Sequence, residues 1–278
     1  GSQLEKGTMI HEYILQPDEF IKDYAVFTGL RPKSDQQHRF CKAFIDSVEL
    51  LLPERIEDAY RRSYSIVGKS REKILSEGMR MYEDLKDYIE AVGSNYTLIS
   101  EYDMKKCEDV EYNIKQHKAA SKLLNEPGWE EHHEFHINWE LCGVKCKSLL
   151  DCVKFDFESK RCQLIDLKTT VKLWHFEDSI QQYDYLRQLC FYAQAIWWYL
   201  EFEKGENPYV WNIEYYIIGI DSTNNSDIRV FKFNRDIVNT RLDVIVDSLE
   251  KIRWHQENNL WDHTKEYHQG DGCETLDL

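Results

Sequence analysis

Two neighbouring runs of residues limit most of what this chain can fold into. "VKCKSLLDCVKFDF" and "RCQLIDLKTT" carry apolar side chains at strand spacing, and the polar "ESKR" is the turn between them. So short a link joins antiparallel neighbours, which makes the pair a hairpin. The next stretch, "SIQQYDYLRQLCFYAQAIWWYLEFEKG", puts Leu189, Tyr192, Ala193, Ile196 and Leu200 on one helical stripe. Two more strand-like runs, "YVWNIEYYIIGID" and "DIRVFKFN", follow it. A hairpin, a long amphipathic helix and a return to strand require the helix to cross over and pack on the sheet. The chain therefore reads as α/β, a mixed central sheet flanked by helices.

Ahead of the hairpin, "HEFHINWEL" alternates, with Phe135, Ile137 and Trp139 on one face, and adds a strand. Before "NEPGWEE" the texture is helical. "KGTMIHEYILQPDEF" predicts a short helix capped by Thr8 and ended by Pro17, with Ile10, Tyr13 and Ile14 toward the core and His11 at the side of that stripe. "SDQQHRFCKAFIDSVELLLPER" predicts a helix opened by a Ser34–Gln37 capping box, with Phe40, Ala43, Phe44, Val48 and Leu51 as its apolar stripe, and Pro53 opens another. Helical patterns continue through "REKILSEGMRMYEDLKDYIEAV" and "EYDMKKCEDVEYNIKQHKAASKLL". A last helix is expected over roughly Asp236 to Gln256, before an irregular tail. No repeat or low-complexity linker interrupts the chain. Residues 1–278 are expected to form a single domain, about 1–130 a mostly helical cap or wall and about 131–278 the sheet core. Gly1-Ser2 looks like a cloning remnant, so that the natural chain is expected to begin earlier.

With 42% hydrophobic residues there is ample material for a core. Lys and Arg number 35 against 50 Asp and Glu, a net charge of −15, which disfavours indiscriminate coating of nucleic acid. A local basic groove remains compatible with an acidic exterior. No signal-like segment or long apolar span is visible, so a cytoplasmic protein without membrane contact is expected. The eight cysteines, Cys41, Cys107, Cys142, Cys146, Cys152, Cys162, Cys190 and Cys273, form no CxxC pair and read as free thiols of a reducing compartment. Cys142, Cys146, Cys152 and Cys162 fall in expected strands, as small buried residues. His132, His133 and His136 invite a zinc reading, but solvated strand positions account for them.

Alternation sends Asp166 and Lys168 to one side of their strand and Ile165 and Leu167 to the other. Taken alone, "DLK" is as readily a cross-strand ion pair. Asp151, inside the apolar "SLLDCV", costs free energy unless something charged binds it. The hairpin turn can bring Asp151 beside Asp166, and two carboxylates with carbonyl oxygens and water suit a hard divalent cation such as magnesium. Lys168 would then stand beside the metal, placed to orient water or offset phosphate charge. Gln188 and Tyr192, four residues apart, share a helix face. Lys145, Lys147, Lys154 and Lys172 lie near enough to touch phosphates, or simply line solvated strand edges.

"GTMIH", "SLLD", "DLK" and "QLCFY", in this order, resemble the PD-(D/E)xK nuclease superfamily, specifically its RecB-like and RecE-like (exonuclease VIII type) branch. The likeness runs through nearly the whole chain, including "INWELCGVKCKSLLD" and the closing "LW…YHQGDGCETLDL". It implies a restriction-endonuclease-like core with an N-terminal helical region. It implies His11, Asp151 and Asp166 as metal ligands, Lys168 as the catalytic lysine, and Gln188 and Tyr192 beside the site. An acid near Glu134 supports the metal in related nucleases. Ser148 departs from the pattern, which has glycine there. The implied activity is a metal-dependent deoxyribonuclease, an exonuclease on double-stranded DNA ends, using Mg2+, with Mn2+ substituting and calcium binding without cleavage. Resection from 5′ to 3′, a ring-shaped homo-oligomer, a single-strand annealing partner and a phage or prophage role in recombination are implied by the same resemblance. The alternatives are a non-cleaving DNA-end-binding or protein-interaction module on the same fold, and a nuclease for single-stranded DNA or RNA.

Overall fold

The amphipathic start of the chain folds as helix α1 (Gln3–Leu15), burying Met9, Ile10 and Leu15. It begins ahead of Thr8, so Thr8 lies inside the helix and not at its cap, and Pro17 opens the following helix. The computed structural model describes residues 3–94, 96–223, 225–270 and 272–273, with side chains from residue 5 onward. Gly1-Ser2, and residues 271 and 274–278 of the closing segment quoted above, lie outside the described residues.

Two compact units divide the chain, Gly1–Leu15 with Asp109–Leu278, and Gln16–Glu108. The smaller unit holds α2 (Pro17–Asp23), β1 (Tyr24–Val26), α3 (Asp35–Asp46), α4 (Leu52–Ser63), α5 (Arg71–Gly93) and β2 (Thr97–Ile99). Ser34 caps α3 by accepting from Gln37 N, while the Gln37 side chain reaches back to Lys33 N, one residue short of the usual capping-box partner. The helix stops at Asp46, where the Ser47 N–H turns to the Phe44 carbonyl, and Pro53 stands in the first turn of the next helix. Val48 and Leu51, expected in the buried stripe, are each 73% exposed as a result. Phe40, Phe44, Ile56, Tyr60, Ile74 and Leu85 close the core of the unit. β1 and β2 pair in parallel, a small sheet that no sequence pattern signalled.

The division falls within α6 (Glu101–Gln116), which is followed by α7 (Lys118–Asn125). The larger unit is built on β3 (Glu130–Leu141), β4 (Val144–Asp156), β5 (Arg161–Thr170), β6 (Asn212–Asp221) and β7 (Ile228–Phe233), neighbours in that order. All pairs are antiparallel except β5 with β6. That parallel pair is the crossover the sequence requires, and its connection is helical. The connection is broken: α8 (Phe176–Gln182) ends before Tyr183, Asp184 adopts a left-handed φ of 46°, and α9 (Tyr185–Trp198) resumes and closes in a π-helical turn to Glu203. Leu189, Ala193, Ile196 and Leu200 are buried against Leu164, Tyr215 and Ile217 of the sheet, while Tyr192 packs at the edge of that core. The expected last helix appears as α10 (Arg235–Asn239) and α11 (Leu242–Asn258), before α12 (Lys265–Gln269). Cys142 belongs to the β3–β4 turn and not to a strand, with φ 53°. All eight cysteines are free. Among the described residues no helix is long and apolar enough to cross a membrane.

Candidate active site

β4 and β5 pair from Asp156↔Arg161 up to Cys152↔Ile165 and no further, although β4 stays paired with β3 as far as Val144 and β5 with β6 as far as Thr170. The next residue on each strand is an aspartate, Asp151 on one and Asp166 on the other. The two acids therefore stand where the hairpin forks. Asp151 Oδ2 accepts the Leu167 N–H at 2.7 Å, so a carboxylate takes the place of a lost ladder partner.

Asp166 is 2% exposed. Lys168 Nζ lies 2.6 Å from its Oδ2 as an ion pair, while its buried Oδ1 has no hydrogen-bond partner among the described residues. Burial, and then the charge of Asp151, push the Asp166 carboxyl up to about 6. Burial also pushes Asp151 up to about 6, against the pull of the Leu167 N–H. Two buried carboxylates so placed are costly as anions, and a cation is what would relieve them. His11 Nδ1 is 3.9 Å from Asp151 Oδ2, and burial lowers its pKa to about 4, which keeps the imidazole neutral with a lone pair to give. Glu134, opposite Asp151, has a left-handed φ of 45° and drops out of the β3–β4 register. Ligand atoms of His11, Glu134 and Asp151 all lie within 4.8 Å of one another. Asp166 is outside that close set and is tied to it through charge, with Asp151 and His11 both acting on its carboxyl. Three carboxylates and one imidazole form an oxygen-rich donor set that fits a hard divalent cation.

Lys168 reaches this cluster from the same strand as Asp166. Burial works to lower its pKa, but the Asp166 carboxylate outweighs that and the net shift is upward, so the ammonium persists. The Tyr185 ring lies 5.2 Å from its Nζ. On α9, Gln188 donates to the Tyr192 hydroxyl at 2.9 Å, and burial raises the Tyr192 pKa. The fork thus gathers His11, Asp151, Asp166 and Lys168, with Gln188 and Tyr192 on the helix beside them, and adds Glu134. Glu134 was weak in the sequence because its place depends on a backbone turn that alternation does not foresee.

Several neighbours hold this arrangement. Gly7 sits one helical turn before His11, and a Cβ there would come within 2.7 Å of Thr169 Oγ1 on β5. A side chain at residue 7 would have to displace the Thr169 hydroxyl for the helix bearing His11 to keep this approach to the strand. His133 faces the Leu15 carbonyl through Nδ1 and Glu131 through Nε2, pinning the end of α1 to β3. Its hydrogen bond to Glu131 raises its pKa despite burial. Ligand atoms of Glu131, His133 and Cys152 also cluster within 4.8 Å, with both ring nitrogens of His133 facing protein acceptors and burial raising the pKa of the Cys152 thiol. Lys154 is wholly buried, donating to Leu123 O at 2.8 Å and Glu126 O at 3.3 Å, so it caps the end of α7 and touches no phosphate. Lys145, Lys147 and Lys172 are exposed. Ser148 accepts the indole N–H of Trp139 at 3.0 Å, a core hydrogen bond that a glycine in its place would not make.

A solved structure from Eubacterium rectale, provisionally described as an exonuclease, is similar to this chain at 13% identity and a TM-score of 0.43, covering 90% of this chain and 97% of that one. No curated protein matches the chain. The family model of a PDDEXK-like domain of unknown function matches residues 2–275. With that match spanning both units and the forked mixed sheet carrying the motif residues, the chain belongs to this PDDEXK-like family and has the PD-(D/E)xK nuclease fold.

Proposed function

We propose that this protein is a metal-dependent deoxyribonuclease, an exonuclease that hydrolyses phosphodiester bonds at double-stranded DNA ends. The observation that carries the reading is the buried Asp166 carboxylate at the β4–β5 fork, next to Asp151, with one oxygen ion-paired to Lys168 and the other without a hydrogen-bond partner among the described residues. His11, Asp151 and Asp166, with Glu134 beside them, are the residues to hold a divalent cation, Mg2+ or in its place Mn2+. When bound, such a cation lowers the pKa of water and offsets charge on the phosphate. Lys168, kept charged by Asp166, is placed to orient a water or donate to a phosphate oxygen as negative charge develops there. Tyr192, steadied by Gln188, borders the same space. The family match across both units supports their working as a single nuclease domain. The motif resemblance supports, beyond this, 5′-to-3′ action, a ring-shaped homo-oligomer, a single-strand annealing partner and a place in phage recombination.

Cleavage of end-labelled linear duplex DNA, with covalently closed circles as control, in magnesium and in EDTA, tests the reading. Linear DNA should disappear only in magnesium and circles should survive. Asp166→Ala and Lys168→Ala should each lose activity by about a hundredfold to ten-thousandfold, the range expected for removing a group that acts on the reacting atoms. Intact DNA in every condition, with ends still bound, would replace catalysis by a binding role.

A further inference from the structure

Between α9, α11 and the start of β4 the larger unit contains a cavity of about 780 Å3, which Gln188 shares with the proposed site. Its floor is apolar, from Val144 and Cys146 at the start of β4 to Leu249 and Ile252 on α11. Two residues link it to the candidate site. Tyr185 lines the cavity and keeps its ring 5.2 Å from Lys168 Nζ, while Gln188 lines it and donates to Tyr192. A phosphodiester set against Lys168 would have the Tyr185 ring, and with it this hollow, as a neighbour.

The rim shows what chemistry it takes. Tyr183 and Tyr185 stack with centroids 5.8 Å apart and planes 25° from parallel, and Tyr183 is 59% exposed. The residue between them, Asp184, holds the left-handed conformation that turns the chain so that the two rings run parallel. Aspartate is among the residues that tolerate this region, and here Arg241 holds its carboxylate at 2.7 Å. Arg187, 3.8 Å from the same carboxylate, and Lys145 add positive charge to the lining. Paired aromatic faces, an apolar floor and basic side chains at the edge suit a flat nucleobase on a phosphate backbone. An aliphatic partner would leave the rings and the cations unused.

We infer that this cavity receives the nucleobase adjoining the scissile phosphate, stacked on the Tyr183–Tyr185 pair and withdrawn from its own base stack. The inference rests on the nuclease reading and deepens it: the substrate is a strand whose terminal bases can be unstacked, and the unstacking is offset by contacts in the cavity.

The test walks a single abasic residue through the first positions of an end-labelled duplex and measures kcat/KM in magnesium. In the wild-type protein one register should be slowed about tenfold to a hundredfold, the worth of one stacked base. Tyr183→Ala, at an exposed ring, and Ser248→Trp, which fills the cavity from the exposed face of α11, should each slow intact DNA and abolish the register dependence, while calcium binding stays as in wild type. Equal cleavage of every abasic substrate by wild type would overturn the inference and leave the nuclease reading standing. Register dependence that persists in both variants would do the same. Failure to cleave any DNA would remove the nuclease reading and this inference with it.

Discussion

Asp166 shows how far a single residue can be read from the sequence. Alternation puts it on the side of Lys168, and the two are indeed paired at 2.6 Å. What alternation leaves open is the depth of burial, which depends on elements far along the chain, with β6 paired beside it and α1 packed on β5. Burial has a consequence for pH. Asp151 and Asp166 both sit near 6, so below that they are protonated and must release protons before they can hold a cation, whereas His11, lowered to about 4, is already neutral there. Calcium affinity should therefore fall as pH drops through about 6, with proton release on binding that is marked at pH 6 and absent at pH 8. Titration calorimetry in buffers of different ionisation enthalpy checks this, and an affinity independent of pH between 5 and 8 would refute it. In the metal-free protein the sign is opposite. A raised carboxyl pKa contributes stability that is full below the unfolded value near 3.8 and lost as pH rises through about 6.

At the scale of elements, the strands and their pairing follow from apolar spacing and short turns, which is why β3 to β7 were legible almost to their ends. Breaks in helices were less so. The periodicity of "SIQQYDYLRQLC" runs straight through Tyr183 and Asp184, and only the left-handed Asp184 separates α8 from α9. Glu134 escaped for the same reason, a backbone kink inside a run that alternates on paper. The approach of α1 to β5 was equally hidden, since a glycine in a helical pattern says nothing about what lies across from it. Gly7→Ala makes that approach measurable. Helix propensity alone would favour alanine by about 1 kcal/mol, while a Cβ meeting Thr169 Oγ1 at 2.7 Å costs about 1–3 kcal/mol in displaced packing. Net destabilisation in thermal melts, with calcium affinity weakened as His11 is pushed away, is expected. A more stable variant with unchanged affinity would show that the contact does not matter.

Over the whole molecule, the order of helices, hairpin, crossover and strands was enough to give the α/β class, because connection rules leave few alternatives. The division into two units carries no comparable signal. It falls at Leu15/Gln16 and inside α6, with no composition shift or glycine-rich linker at either point. Net charge acts at this scale as well. A chain of −15 can hold a polyanion only through a local cationic surface, so the number of phosphates engaged should be small. The logarithm of DNA affinity, measured in calcium, should fall with the logarithm of salt at a slope of roughly 0.9 per phosphate contacted, and Lys145→Ala should reduce that slope by about 1. An unchanged slope would remove Lys145 from the contact surface.

The hydrogen bond from Leu167 N to Asp151 makes one carboxylate both a rung at the end of the sheet and a candidate ligand. The two aspartates of the fork are therefore not equivalent targets for genetics. Removing the acid at 166 or the amine at 168 deletes chemistry and leaves the backbone ladder whole. Removing the acid at 151 also orphans a main-chain amide, so a null phenotype there mixes loss of folding with loss of function, and a clean knockout of this protein is better made one strand away.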